Sequence, residues 1–140
     1  MNKKDEYFQE LYEKKRNDIS FISLKKGAAI KFKDRTFKTD KELPIPVRIQ
    51  RLLEDIKKQD EMDGITLNNI IDGIIYIIGT DTNFGFLQDY ERMLEDLNFG
   101  IESYIVYCIN NFEEDEYEDA VIYGKALVNT SENEKSCFAY

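Results

Sequence analysis

The chain has 140 residues, 42% of them hydrophobic and 34% charged, with two prolines and no histidine. That is enough apolar matter for one core, too much for a disordered segment, and it removes the commonest general base and metal ligand. The net charge of −9 is unevenly spread: residues 1–62 hold 16 Lys+Arg and 12 Asp+Glu, a net +4, while residues 63–140 hold 3 and 16, a net −13.

In chain order, residues 4–18 read as a first helix. Tyr7, Phe8, Leu11 and Tyr12 share one face, and Lys14, Lys15 and Arg16 fall in the last turn, where cations suit the helix dipole. Residues 19–24 (ISFISL) either continue that helix or form a short extended piece. Residues 27–39 are the one place that reads as strand, because Ile30 and Phe32 alternate with lysines and Lys33-Asp34 can turn toward Thr36-Phe37; an irregular basic loop fits the same residues. Leu43-Pro44-Ile45-Pro46 reads as a stiff extended linker. Pro46 suits the start of a helix over residues 47–61, whose apolar face is Val47, Ile49, Leu52, Leu53 and Ile56 and whose outer side carries Arg48, Arg51, Lys57 and Lys58.

The rest of the chain reads as helical hairpins with a period of 34 residues. In residues 67–100, a first helix holds Ile70, Ile71, Ile74, Ile75 and Ile78, a turn follows over residues 79–83, and a second helix holds Phe86, Leu87, Tyr90, Met93, Leu94 and Leu97. In residues 101–134, the first helix holds Ile101, Tyr104, Ile105, Cys108, Ile109 and Phe112. Asp115 with Glu118 then makes a capping box for a second helix holding Ala120, Val121, Gly124, Leu127 and Val128. Asn129 to Ser131 ends it, and Ser131 with Glu134 starts a partial third unit over residues 135–140. Two helices per unit at a fixed period imply a solenoid in which each hairpin buries its face on the next.

The run Glu116-Tyr117-Glu118-Asp119-Ala120-Val121, followed by Lys125-Ala126-Leu127, resembles the second-helix pattern of the tetratricopeptide repeat family, with Tyr104 and Cys108 at its first-helix aromatic and small positions. Gly124 stands where the family has a large side chain, and the usual proline after the second helix is missing. The resemblance covers residues 67–140. It implies an all-α protein of antiparallel hairpins with an inner groove at Asn68, Ile71, Ile75, Glu102, Ile105, Ile109 and Phe112, and the charge split divides the chain into a basic N-terminal segment over residues 1–62 and an acidic repeat region over residues 63–140. No cation is among those seven, so the groove suits an apolar helix rather than an acidic tail, and the basic helix of residues 47–61 is its nearest candidate occupant.

No motif for chemistry emerges. The run Glu113 to Asp119 lacks the alternating ligands and glycine of a calcium loop and reads as a solvated, capped turn. Asp81 and Asp89 have nothing near in sequence that would separate their pKa values. No phosphate-binding Gly-Lys-Ser/Thr occurs. Cys108 and Cys137 read as small buried hydrophobes, which favours a reducing, cytoplasmic location. Lys25, Lys26, Lys31, Lys33, Arg35 and Lys38, interleaved with Phe32 and Phe37, are the only nucleic-acid-like stretch, and the acidity of the whole molecule argues against that partner.

The expectation is therefore a non-catalytic protein-interaction scaffold or adaptor without cofactor or metal. Its partner is an apolar helix or a basic protein, with no membrane. The alternative is an acidic inhibitor or immunity-type protein occupying a partner's basic site. Leu127, Phe138 and Tyr140 would line an open apolar end, whether the natural chain continues or a second copy covers it as a homodimer.

Overall fold

The computed structural model describes residues 3–49 and 67–138. Helix α1 (Lys3–Asn17) is followed by four strands, β1 (Ile19–Leu24), β2 (Ala29–Phe32), β3 (Arg35–Lys38) and β4 (Leu43–Arg48). Then come α2 (Leu67–Thr80), α3 (Leu87–Asp96), α4 (Ile101–Asn111), a 3-10 turn (Glu114–Glu116) and α5 (Tyr117–Phe138). The chain forms two compact units. The helical unit is Met1–Asn17, Ile75–Phe84 and Gly100–Tyr140; the ribbon unit is Asp18–Ile74 and Gly85–Phe99.

The strands correct the all-α expectation. β1 pairs with β4 and β2 with β3, both antiparallel. The two ladders share one register: Leu24 faces Leu43 where the first ends and Ala29 faces Lys38 where the second begins, with stretches of equal length between them. Residues 19–48 thus form a single ribbon that turns at Lys33, whose φ of 56° lies in the left-handed region. Strand is not confined to residues 27–39, and the stretch read as a linker is a hydrogen-bonded strand.

Pro44 and Pro46 fit β4 for a geometric reason. Ile49 N–H donates to Asp18 O at 3.0 Å, so that pair is hydrogen-bonded. Alternation then makes Ser20/Val47, Ile22/Ile45 and Leu24/Leu43 the bonded pairs, with Phe21/Pro46 and Ser23/Pro44 between them. The missing proline N–H groups would have pointed out of the ladder, so no ladder bond is lost. The same strand overturns the start of the basic helix, since Val47 and Arg48 close β4; residues 50–61 of that helix, and with them the idea that it docks in a groove, lie outside the described residues.

In the ribbon unit, α2 lies against β4. A Cβ on Gly73 would stand 2.3 Å from Pro46 O, so only glycine permits this approach. Helix α3 packs on β3, and four residues of the expected stripe, Tyr90, Met93, Leu94 and Leu97, are buried, while Phe86 and Leu87 are half-buried. Asn98, at φ 52°, ends α3 in the left-handed conformation: its N–H bonds Glu95 O at 3.0 Å and Phe99 N–H bonds Leu94 O at 2.9 Å.

In the helical unit, α4 and α5 pack together as a hairpin. The core comprises Leu11, Ile75, Tyr76, Ile77, Ile105, Ile122, Tyr123 and Ala126. Tyr123 meets Tyr76 and Phe112 edge-on, at ring distances of 6.2 and 5.0 Å. Burying these large residues turns α5 by about one position, so Val128 is exposed and Val121, Gly124 and Leu127 are only half-buried. The cap shifts too: Glu113 N–H bonds the Glu116 carboxylate at 3.2 Å, two residues ahead of the Asp115 box. Helix α5 then runs unbroken past Ser131, so no third helix starts there. Asn129 and Thr130 do not stop it because their side chains are used otherwise. Asn129 Nδ2 donates to Ile78 O at 2.8 Å, an end carbonyl of α2, and Thr130 Oγ1 bonds Ala126 O at 2.9 Å.

Candidate interaction surface

Of the seven groove residues, Asn68 and Ile71 belong to the ribbon unit and the other five to the helical unit. Ile71, Ile75 and Ile105 are wholly buried, so they present no surface to a partner. Asn68 is exposed; Glu102, Ile109 and Phe112 are half-buried, Phe112 against Tyr123. Among the proposed self-association residues, Leu127 is half-buried, Phe138 closes α5, and Tyr140 lies outside the described residues.

The opposite side of α4 carries the stronger signal. Ile105 faces the core, which leaves Ser103, Val106, Tyr107 and Asn110 along the solvent face at helical spacing. Tyr107 is 66% exposed and Val106 44%. A core-facing tyrosine would bury its ring, so this one is available for contact. Asn111 Nδ2 donates to Tyr107 O at 2.7 Å and steadies the end of the helix. The following turn exposes Glu113, Glu114 and Asp115. The surface is thus an aromatic-aliphatic pair on a helix that runs into a carboxylate cluster. The sequence periodicity held this signal, because Val106 and Tyr107 fall outside the apolar stripe.

Other side chains at this end are engaged within the unit. Lys14 Nζ pairs with Glu118 at 3.2 Å. Lys15 Nζ lies 3.4 Å from Asp119, whose carboxylate also accepts the buried Tyr76 hydroxyl. Tyr7 hydrogen-bonds Tyr117, which, with some desolvation, holds its pKa above the ordinary phenol value. A cleft of about 500 Å³ lies between α1 and the end of α2, lined by Gln9, Tyr12, Glu13, Arg16, Asn17, Thr80 and Asp81. Burial raises the Tyr12 pKa there, and the Arg16 guanidinium stands over the Phe84 ring at 5.6 Å. No local pattern signals this cleft, since residues 9–17 and 80–81 meet only through folding.

In the basic stretch, both rings and Arg35 are engaged within the ribbon unit. Phe37 is buried and Phe32 packs edge-on against Phe99 at 5.4 Å, so neither ring is offered for base stacking. Arg35 Nε donates to Asp96 O at 3.2 Å, at the negative end of α3. Lys41 pairs with Asp89 at 3.0 Å and Arg92 with Asp40 at 3.2 Å.

Among the described residues, no group of His, Cys, Asp and Glu is placed to hold a metal ion, and no helix is long and apolar enough to cross a membrane. Comparison of the sequence with protein-family models, with curated proteins and with solved structures finds no match.

Proposed function

We propose that this chain is a non-catalytic protein-binding module that presents the solvent face of α4, with Val106 and Tyr107, and the adjoining Glu113–Glu114–Asp115 turn to a basic protein partner. The exposed Tyr107 beside that turn carries the reading. Tyrosine is enriched among residues that dominate binding energy, and a carboxylate rim selects and steers a cationic partner. Charge supports it as well: the helical unit has 7 Lys+Arg against 14 Asp+Glu.

The test is capture from the native host by the immobilised full chain, identification of the bound protein, and titration of the purified pair. Tyr107→Ala is expected to weaken binding at least about tenfold. Reversing Glu113, Glu114 and Asp115 to lysine is expected to slow association and flatten its salt dependence. A partner indifferent to both changes would sink the reading.

The same acidic turn favours a second reading, an inhibitor that occupies a partner's basic nucleic-acid or catalytic site. It differs in outcome: the captured protein would lose its own activity when bound, and salt would restore it.

A further inference from the structure

The β2–β3 hairpin has two unlike faces. Its ladder pairs Ile30 with Phe37 and Phe32 with Arg35, and these four share one face because alternate residues of a strand point the same way. That face is occupied within the ribbon unit: Phe37 is buried, Phe32 meets Phe99, and Arg35 bonds the end of α3. The opposite face carries the other two pairs, Ala29 with Lys38 and Lys31 with Thr36, and all four residues are exposed. Lys31 and Lys38 are diagonal neighbours there. Lys38 Cε lies 4.0 Å from where a Cβ on Gly27 would stand, which brings it beside the turn that holds Lys25 and Lys26, both exposed. Ala28 N–H closes that turn on Lys25 O at 2.9 Å. Of these four lysines, Lys25 alone forms an ion pair among the described residues, a 3.8 Å contact with Glu42.

We propose that this face binds the phosphate backbone of duplex DNA, with the hairpin laid in the major groove. The occupant follows from what the face offers and what it lacks. Lysines on one side of a two-stranded ribbon, with no carboxylate among the four residues of that side, call for a polyanion. Protein interfaces draw most of their energy from aromatic and other large anchors, and beyond the lysines this face has only Ala29 and Thr36. The same lack denies it an apolar foothold in a bilayer. A single strand would need rings to stack on, and both rings of the hairpin lie on the other face. A duplex needs neither anchor nor ring, because released counterions supply the affinity. The major groove of B-form DNA admits a two-stranded ribbon, and the deep, narrow one of duplex RNA does not. The acidity that argues against nucleic acid lies mostly outside the ribbon unit: the helical unit, with 7 Lys+Arg against 14 Asp+Glu, carries a net −7 of the chain's −9.

The experiment is fluorescence anisotropy of a labelled, random-sequence DNA duplex titrated with the full chain at several salt concentrations. Binding is expected with a Kd of about 10 μM at about 50 mM salt, and log K is expected to fall against log salt with a slope of about −3 to −4, for about four phosphates neutralised. Lys31→Gln and Lys38→Gln are each expected to weaken binding about threefold and to lower the slope by about 1. Thr36→Glu sets a carboxylate opposite Lys31 and is expected to abolish binding. All three positions are exposed, so the variants are expected to melt with the parent chain. Lys125→Gln makes the same charge change at an exposed lysine of the helical unit and is expected to leave the slope alone. No binding of the duplex at low salt would overturn the proposal. So would a Lys125→Gln effect as large as that of Lys31→Gln, which would make net charge rather than the hairpin the cause. Tighter binding of single-stranded DNA, of vesicles rich in anionic lipid or of polyglutamate would overturn it in favour of that partner.

Discussion

The two units bury polar groups in different ways. In the ribbon unit the group is a charge. Arg48 is 6% exposed, with Nε 3.3 Å from Asp18 and Nη1 3.2 Å from Asp72, itself 1% exposed. In the helical unit it is a phenol: Tyr76 is buried within the aromatic cluster and its hydroxyl reaches out to Asp119, which Lys15 also contacts near the surface. The difference lies in what remains when a partner is lost. Removing one member of the Arg48 cluster strands a charge away from water, whereas Asp119 keeps Lys15 and some solvent.

Arg48→Met is expected to cost about 3–5 kcal/mol, the range for breaking a buried ion pair. Denaturant unfolding would measure it, and adding Asp72→Leu should recover part of the loss, because the deeply buried Asp72 carboxylate is then removed as well. A cost below about 1 kcal/mol would show that water reaches the cluster and would erase the contrast between the units.

Leu94→Ala in the ribbon unit and Ile105→Ala in the helical unit each remove a buried aliphatic side chain, and each is expected to lose about 2–5 kcal/mol. Native-state hydrogen exchange sharpens this into a statement about the units. If each opens as its own cooperative block, Leu94→Ala speeds exchange in β3 and α3 first, and Ile105→Ala in α4 and α5. Uniform acceleration by both variants would make the two units one folding block.

Tyr76→Phe deletes only the hydroxyl and is expected to cost about 1.5–3 kcal/mol, the range for a hydrogen bond to a charged group. Lys14→Ala removes an ion pair whose side chains are 66% and 39% exposed and is expected to cost less than about 1 kcal/mol. Thermal melts of the two variants side by side would rank them, and the reverse order would mean that the surface pair from α1 contributes more to holding α5 than the buried hydroxyl from α2.

The weakest effect belongs to Asp40 and Arg92. Hydrogen bonding to Arg92 lowers the Asp40 pKa below its ordinary value. A depressed folded-state pKa means the contribution is present above the unfolded value and is lost as pH falls through the folded one. NMR titration should find the Asp40 midpoint below the usual carboxylate range, and Arg92→Gln should return it; an unmoved midpoint would assign the shift to other neighbours.

The helices after residue 66 were legible because their signals are local. Ile70, Ile74 and Ile75, or Tyr90, Met93 and Leu97, repeat at a spacing that only a helix can put on one face, and all six are buried. The ribbon was hidden because its signals are not local. Nothing in ISFISL or LPIPVR alternates cleanly, and each becomes a strand only by pairing with the other across the intervening hairpin. Proline in β4 argued against a strand until the register showed that both prolines face outward.

Residue spacing thus set where most helices lie, and composition set the split in charge along the chain. Packing settled the rest. It chose which face of α5 turns inward, because Tyr123 needs Tyr76 and Phe112 as neighbours. It buried the isoleucines of α2 that would have lined a groove: Ile71 and Ile75 are wholly covered. It also left Tyr107 facing water. Those choices depend on which distant segments fill the space around each residue, and that information is not contained in any short stretch of the chain.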